Sequence, residues 1–226
     1  MPLLIGFAFV FLLLMNSGYL MQAVVDEKES RTIEVIVTSV SPTQFIGGKV
    51  LGVVAIGLTQ LATWTLTSIL AIVAAHRLGI AWFQDLSLDW GTVLATAGLA
   101  MPTFVTACAL MTAAGAMVTS AQESQAAGTP FAALHLAPLY FAWAIVLVPN
   151  AVVPTILSFL PFTALLTVTL RNIFTAVPAW QVAAGIAVQT VCAVGAIWLA
   201  GRAFRLGMLR YGQRLRLREL LRARSQ

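Results

Sequence analysis

Charge is what this chain has least of. Of its 226 residues only 9% are charged while 60% are hydrophobic, and the mean hydropathy is +0.92. A soluble domain carries about a quarter charged residues, so this balance excludes a water-exposed globular core and indicates a polytopic membrane protein. Cysteine is equally scarce. Cys108 and Cys192 both fall inside apolar runs, which excludes a disulfide framework and a thiolate metal site and leaves them as small packing residues. The phosphate-cradling pattern G-x-x-x-x-G-K-[ST] is absent, because Gly47-Gly48-Lys49-Val50 lacks both the spacing and the hydroxyl. The chain is therefore not expected to hydrolyse ATP. Neither a basic leader nor a small-residue cleavage site follows Met1, so no secretory signal peptide is expected.

What the chain does have is apolar runs of bilayer length. Segments 3–25, 50–75, 92–118, 129–148 and 180–200 each read as a membrane-spanning helix, giving an all-α transmembrane bundle of about five spans in one domain covering 1–226. Between them, 119–128 reads as a short polar loop. Pro149, Pro154, Pro161 and Pro178 break the run after the fourth span, so 149–178 is expected to form short broken helices dipping into one leaflet and not a span. The helix from Pro42 would be too long for one simple crossing, which predicts a bend near Gly47 and Gly48 with Lys49 reaching to the headgroups. Asn16, Ser17 and Gly18 in the first span, and Gln60, Thr63, Thr65, Thr67 and Ser68 in the second, are expected to face other helices. His135, alone in its span, reads as a hydrogen-bonded packing residue.

The scarce basic residues are unevenly placed, and that placement sets topology. Arg202, Arg205, Arg210, Arg214, Arg216, Arg218, Arg222 and Arg224 crowd the last stretch, 202–226, which fixes that end in the cytoplasm. Counting back through five spans puts Lys28, Arg31 and Lys49 on the same side and only Arg77 and Arg171 outside. The net charge of +5 thus reflects topology and anionic lipid headgroups, with leucines interleaved among the tail arginines. No aromatic platform or fold signature supports nucleic-acid binding.

The long polar interruption, 26–49, is where chemistry concentrates. Read as a helix, Ile33, Ile36, Val37 and Val40 form one apolar stripe opposite Glu27, Arg31, Glu34 and Thr38, as an element lying in the membrane surface would. A short strand competes, because Thr32, Ile33, Val35, Ile36 and Val37 are β-branched. Ser41, Pro42 and Gln44 then supply the cap, first-turn proline and capping-box residue of a new helix.

EKESRTIEVIVTSVSPTQFIGGKVLG resembles the segment E-K-E-x-x-T-[IL]-E-x-[IL]-x-[TS]-x-[VP]-[ST]-x-x-x-x-[IL]-x-G-K of permease subunits of type-2 ABC exporters, particularly the sodium-efflux and drug-export-like branch. Glu27, Lys28, Glu29, Thr32, Ile33, Glu34, Thr38, Gly48 and Lys49 stand at the matching positions. SFLPFTALLTVTLR is similar to the outer-face segment S-x-[IL]-P-x-x-[SA]-P-x-x-x-x-x-R of the same family, with Leu165 where a second proline is commoner. TSAQESQAAGTP resembles its cytoplasmic acidic turn. The resemblance covers the C-terminal half to two-thirds of such a permease.

The resemblance implies a subunit that moves substrate out of the cell using ATP hydrolysed by a separate ABC ATPase. Glu27, Lys28, Glu29, Arg31, Thr32 and Glu34 would be its coupling and gate residues, and Lys49, Arg202, Arg205 and Arg210 its membrane-surface anchors. This chain would bind no cofactor, the ATP and magnesium being used by the partner. A second permease subunit, identical or not, and membrane lipids complete the expected partners, in a plasma (inner) membrane with a cytoplasmic C-terminus. Two alternatives compete. Asp26, Glu27 and Arg31 with Phe131 and His135 are similar to the paired motifs of intramembrane CAAX-type metalloproteases, but no further histidine motif follows His135. A non-transporting scaffold would share the hydropathy without needing the 26–49 motif.

Overall fold

A computed structural model describes residues 2–29, 42–80, 90–118 and 120–208. Among these residues every regular element is a helix: α1 (Pro2–Glu29), α2 (Pro42–Arg77), α3 (Trp90–Met117), α4 (Ala121–Tyr140), α5 (Ala142–Leu147), α6 (Val152–Leu157), α7 (Ala164–Phe174) and α8 (Ala179–Met208). Four stretches are long and apolar enough to cross a membrane: Phe7–Asp26, Val93–Met117, Gln122–Leu147 and Ala179–Ala203. α2, at 36 residues or about 54 Å, has the length to do so as well. The expected polytopic helical bundle is what the chain forms.

Small side chains decide how α1, α3 and α8 meet. Ala109, Ala113 and Ala116 on α3 and Ala196, Ala200 and Ala203 on α8 recur at helical spacing and share one buried cluster with Val24 of α1. In lipid there is no hydrophobic force to join helices, so backbones that approach closely over small residues gain the packing that substitutes for it. Toward the other end, Val10 of α1, Leu99 and Ala100 of α3, and Leu165, Leu166 and Val168 of α7 share a second cluster, with Ile186 of α8 packed on it. The Thr103 hydroxyl of α3 lies 3.3 Å from Gln189 Oε1 of α8, between the two zones. The order of these contacts along each helix means that α1, α3 and α8 run in the same direction. α4 runs against them, since its Phe131 packs with Met21 and its Leu136 with Val10 and Leu99.

The bundle therefore has two chemically different ends. The carboxyl ends of α1 and α8 lie together at one, with Ser120 and the start of α4. At the other end lie α5, α6 and the start of α8.

Two local outcomes differ from the sequence expectations. The polar loop expected over 119–128 is helical from Ala121 onward, because Ser120, with φ −146° and ψ 158°, accepts a hydrogen bond from the Glu123 backbone N–H at 3.3 Å. That is the cap half of an S-x-x-E signal, strong enough to start the helix eight residues before Thr129. α2 is assigned as helix throughout, Gly47 and Gly48 included. The fourth span stops at Phe141 and resumes as α5, after Pro130 and Pro138 inside α4.

The proline-broken stretch forms two short helices, as its prolines imply. α6 has six residues and α7 eleven, about 9 Å and 17 Å, and neither can cross a bilayer alone. α7 is nonetheless the most enclosed element of the fold. Every residue from Ala164 to Arg171 is buried, against α1, α3 and α5. Polar side chains inside the bundle satisfy themselves locally: Thr103, Thr106, Thr112 and Thr169 each donate to the carbonyl four residues earlier at 2.7–2.8 Å.

Candidate functional sites at the two ends of the bundle

At the end shared by α1 and α8, Asp26 is exposed in the last turns of α1, and the backbone of Glu27, Lys28 and Glu29 closes that helix. Arg202 is half-buried on α8, its guanidinium 5.2 Å from the centroid of the Trp198 ring, a cation–π contact between residues one turn apart. Lys49 and Arg205 lie within α2 and α8. Arg31, Thr32, Glu34 and Arg210 lie outside the described residues, as do the apolar stripe from Ile33 to Val40 and the tail beyond Met208. What is brought together is thus the acidic end of α1, the Ser120–Glu123 turn and the first arginine of the tail.

The residue pairs of the protease alternative are kept apart. Gly128 of α4 meets the Met21 side chain, and a Cβ added to it would lie 3.4 Å from Met21 Cε. His135 is then about 10 Å further toward the opposite end, while Asp26 is about 7 Å beyond Met21 in the other direction. His135 is buried, with Nδ1 2.9 Å from the Phe131 carbonyl, between the rings of Phe131 and Phe162 at 4.4 and 5.2 Å. Among the described residues no three His, Cys, Asp or Glu side chains form a group able to hold a metal.

A polar cluster the sequence reading did not single out as a site lies at the opposite end. Arg171 of α7 is fully buried, and its guanidinium donates through Nη1 to Ser158 Oγ at 2.9 Å and Gln181 Oε1 at 3.0 Å, and through Nη2 to Asn150 Oδ1 at 3.1 Å. Ser158 is held in turn by donating to the Pro154 carbonyl at 2.7 Å. One arginine thereby ties together the α5–α6 turn, the end of α6, α7 and the start of α8. Among the described residues its Nε–H has no partner, and neither has the buried hydroxyl of Thr167, one turn earlier on the same helix. All three acceptors are neutral, and among the described residues no carboxylate pairs with Arg171. Hydrogen bonds to a charged group contribute about 1.5–3 kcal/mol each. A cation removed from water costs several kcal/mol or more, and neutral oxygens solvate it without cancelling its charge.

Ser158 and Arg171 are the first and last residues of SFLPFTALLTVTLR. Their hydrogen bond closes the segment on itself, and this was the signal available in the sequence: a fixed hydroxyl–guanidinium spacing across a proline turn.

A third polar feature runs along α2. Ala55, Ile56, Thr59, Gln60 and Thr63 line a shallow open groove, with Thr59, Thr63 and Thr67 hydroxyls each bonded back to their own helix at 2.8 Å. Of the polar residues expected to face other helices, Gln60 does so by accepting from Asn16 Nδ2 of α1, and Asn16 also donates to the Leu12 carbonyl. Thr63 and Thr67 are exposed.

Fold and ends together define a multi-pass helical membrane protein. The family described as ABC-2 family transporter protein matches residues 2–202, and the chain belongs to that family. That family is one of transporter membrane components. The chain is similar to the uncharacterised protein MJ1024 of Methanocaldococcus jannaschii, at 26% identity over 222 residues, covering 96% of this chain and 53% of that protein. It is similar also to the uncharacterised protein YhaP of Bacillus subtilis, at 26% identity over 219 residues, covering 91% of this chain and 50% of that protein. The chain spans about half the length of these relatives. No solved structure matches it.

Proposed function

We propose that the chain is the permease subunit of an exporter of the sodium-efflux or drug-export-like branch, driven by a separate ABC ATPase that docks on the acidic segment between α1 and α2. The observation that carries this reading is the co-location of the carboxyl end of α1 with the carboxyl end of α8, since the latter leads into the arginine tail. Arginines near a span favour the cytoplasmic side, and an ATPase works there. Glu27, Lys28, Glu29, Arg31, Thr32 and Glu34 would then receive the ATPase, and its nucleotide-dependent closure would bias the bundle between inward and outward arrangements. Lys49, Arg202, Arg205 and Arg210 would hold that end at the headgroups. The ATP and magnesium belong to the partner, two permease subunits share the path, and the assembly sits in the plasma membrane.

The test is co-purification from membranes with the co-expressed ATPase, comparing the native chain with the triple variant Glu27→Lys, Glu29→Lys, Glu34→Lys. Loss of the complex in a variant that still inserts supports the coupling role. An undiminished complex removes it.

A further inference from the structure

We infer that Arg171 is the anchor of an oxyanion-binding site, one that takes a phosphate or carboxylate group at the end of the bundle away from the arginine tail. The argument starts from donor arithmetic. A guanidinium has five N–H donors in a fixed fork, and it cannot lose its charge under ordinary conditions. Three of Arg171's donors are spent on Ser158, Gln181 and Asn150, leaving Nε–H and one further N–H on Nη2. A pair of parallel N–H donors is what a carboxylate or phosphate accepts side by side. The Thr167 hydroxyl, one helical turn earlier on α7, is a second buried donor without a hydrogen bond among the described residues.

The cluster reaches the surface on one side. Arg171, Ser158 and Thr167 are buried, but Gln181 is half-exposed and Asn150 exposed, so the acceptors grade from the interior to the surface. Both amide side chains can rotate away from the guanidinium and present their N–H₂ groups to an anion instead, which turns a cation cage into a donor cage without moving backbone. Exposed Tyr140, Trp143 and Trp180 stand on the neighbouring helices, and Trp180 packs near Phe159 beside the cluster. Tyrosine and tryptophan of this kind mark the depth of lipid headgroups. At that depth an oxyanion arrives either as the phosphate of an anionic lipid or as a small anion from the water.

The experiment uses the purified chain in neutral detergent and reads thermal unfolding against phosphatidylglycerol, phosphatidylcholine and inorganic phosphate. Tail arginines beside a span are expected to attract anionic lipid, so every titration is repeated with Arg214, Arg216 and Arg218 changed to Gln. In that background, saturable stabilisation by phosphatidylglycerol alone assigns the site to a lipid headgroup, and stabilisation by inorganic phosphate too assigns it to a soluble anion. In either case Arg171→Gln should weaken the midpoint by about tenfold or more, the loss expected for a charge-assisted bidentate contact. Arg171→Lys, which keeps the charge and loses the fork, should weaken it less, and Thr167→Val should weaken it by a few-fold. Those two variants decide the matter if Arg171→Gln does not fold. No response to either anion, or midpoints unchanged in the Arg171 and Thr167 variants, overturns the proposal and leaves the cluster as an internal tie.

Discussion

A single added methyl group tests how closely α1 and α3 approach. A Cβ built on Gly115 of α3 would lie 2.8 Å from the Met21 carbonyl oxygen and 3.1 Å from Val24 Cβ, both on α1. The first of these is backbone, so relief requires the whole helix to shift, and such overpacking typically costs about 1–3 kcal/mol. Alanine also favours a helix over glycine by about 1 kcal/mol, a term that acts in the opposite sense. Gly115→Ala should therefore be destabilising by about 0–2 kcal/mol. Gly195 of α8 is the internal control: it is exposed and mid-helix, with nothing within 4 Å of the place a Cβ would take, so Gly195→Ala should gain the propensity term alone. The difference between the two variants isolates the steric cost. At about 2–4 °C per kcal/mol for a chain of this size, Gly195→Ala should melt higher than Gly115→Ala by about 2–12 °C in detergent. Equal melting temperatures would refute the close crossing, and with it the argument that small residues set the spacing of these helices.

Other perturbations follow from particular contacts. Ser120→Ala removes the cap of α4 and should destabilise by about 1 kcal/mol, read as a fall of about 2–4 °C in the same melt, with Ser120→Asp restoring it. Gln60→Leu should cost less than about 1 kcal/mol, since Asn16 keeps its bond to the Leu12 carbonyl and interhelical polar pairs in lipid are weak. Ala176, exposed beyond α7, and Gln122, exposed on the first turn of α4, should fall on opposite membrane faces. In a background with both native cysteines replaced, Ala176→Cys should react with an impermeant maleimide on intact cells and Gln122→Cys only after permeabilisation; the reverse pattern would invert the topology.

How much of the fold was readable in the sequence depends on what kind of force specified it. The long helices were legible because bilayer length and apolar continuity leave only one backbone solution: unsatisfied amides are too costly in lipid. The start of α4 was written in Ser120 and Glu123, yet reading 119–128 as a loop gave more weight to its polarity than to its cap. Polarity alone does not decide the matter, since polar residues are helical when a cap begins the helix and a buried face continues it. At α2 the two adjacent glycines leave the helix assignment continuous, since glycine lowers helix stability by only about 1 kcal/mol per residue and neighbouring good formers carry the helix through. The position of α7 was not legible at all. Its sequence, ALLTVTLRNIF, is as apolar as the spans and too short to be one, and only the tertiary arrangement shows that it is surrounded by protein and not by lipid.

That burial gives the candidate sites their logic. An arginine with neutral partners is tolerable at a surface, where water completes its solvation, and inside a bundle each missing interaction becomes a standing cost. α7 could have placed a leucine at 171 and gained packing, as it does at Leu165, Leu166 and Leu170. Instead it holds a cation where three separate elements must each supply an oxygen, and where two donors remain over. If that arrangement served only to join α6, α7 and α8, an Arg171→Met variant of comparable volume would melt lower, since Ser158, Gln181 and Asn150 would lose the donor they share. A variant that melts no lower yet loses its response to anions would show that the guanidinium is held there for binding and not as a tie.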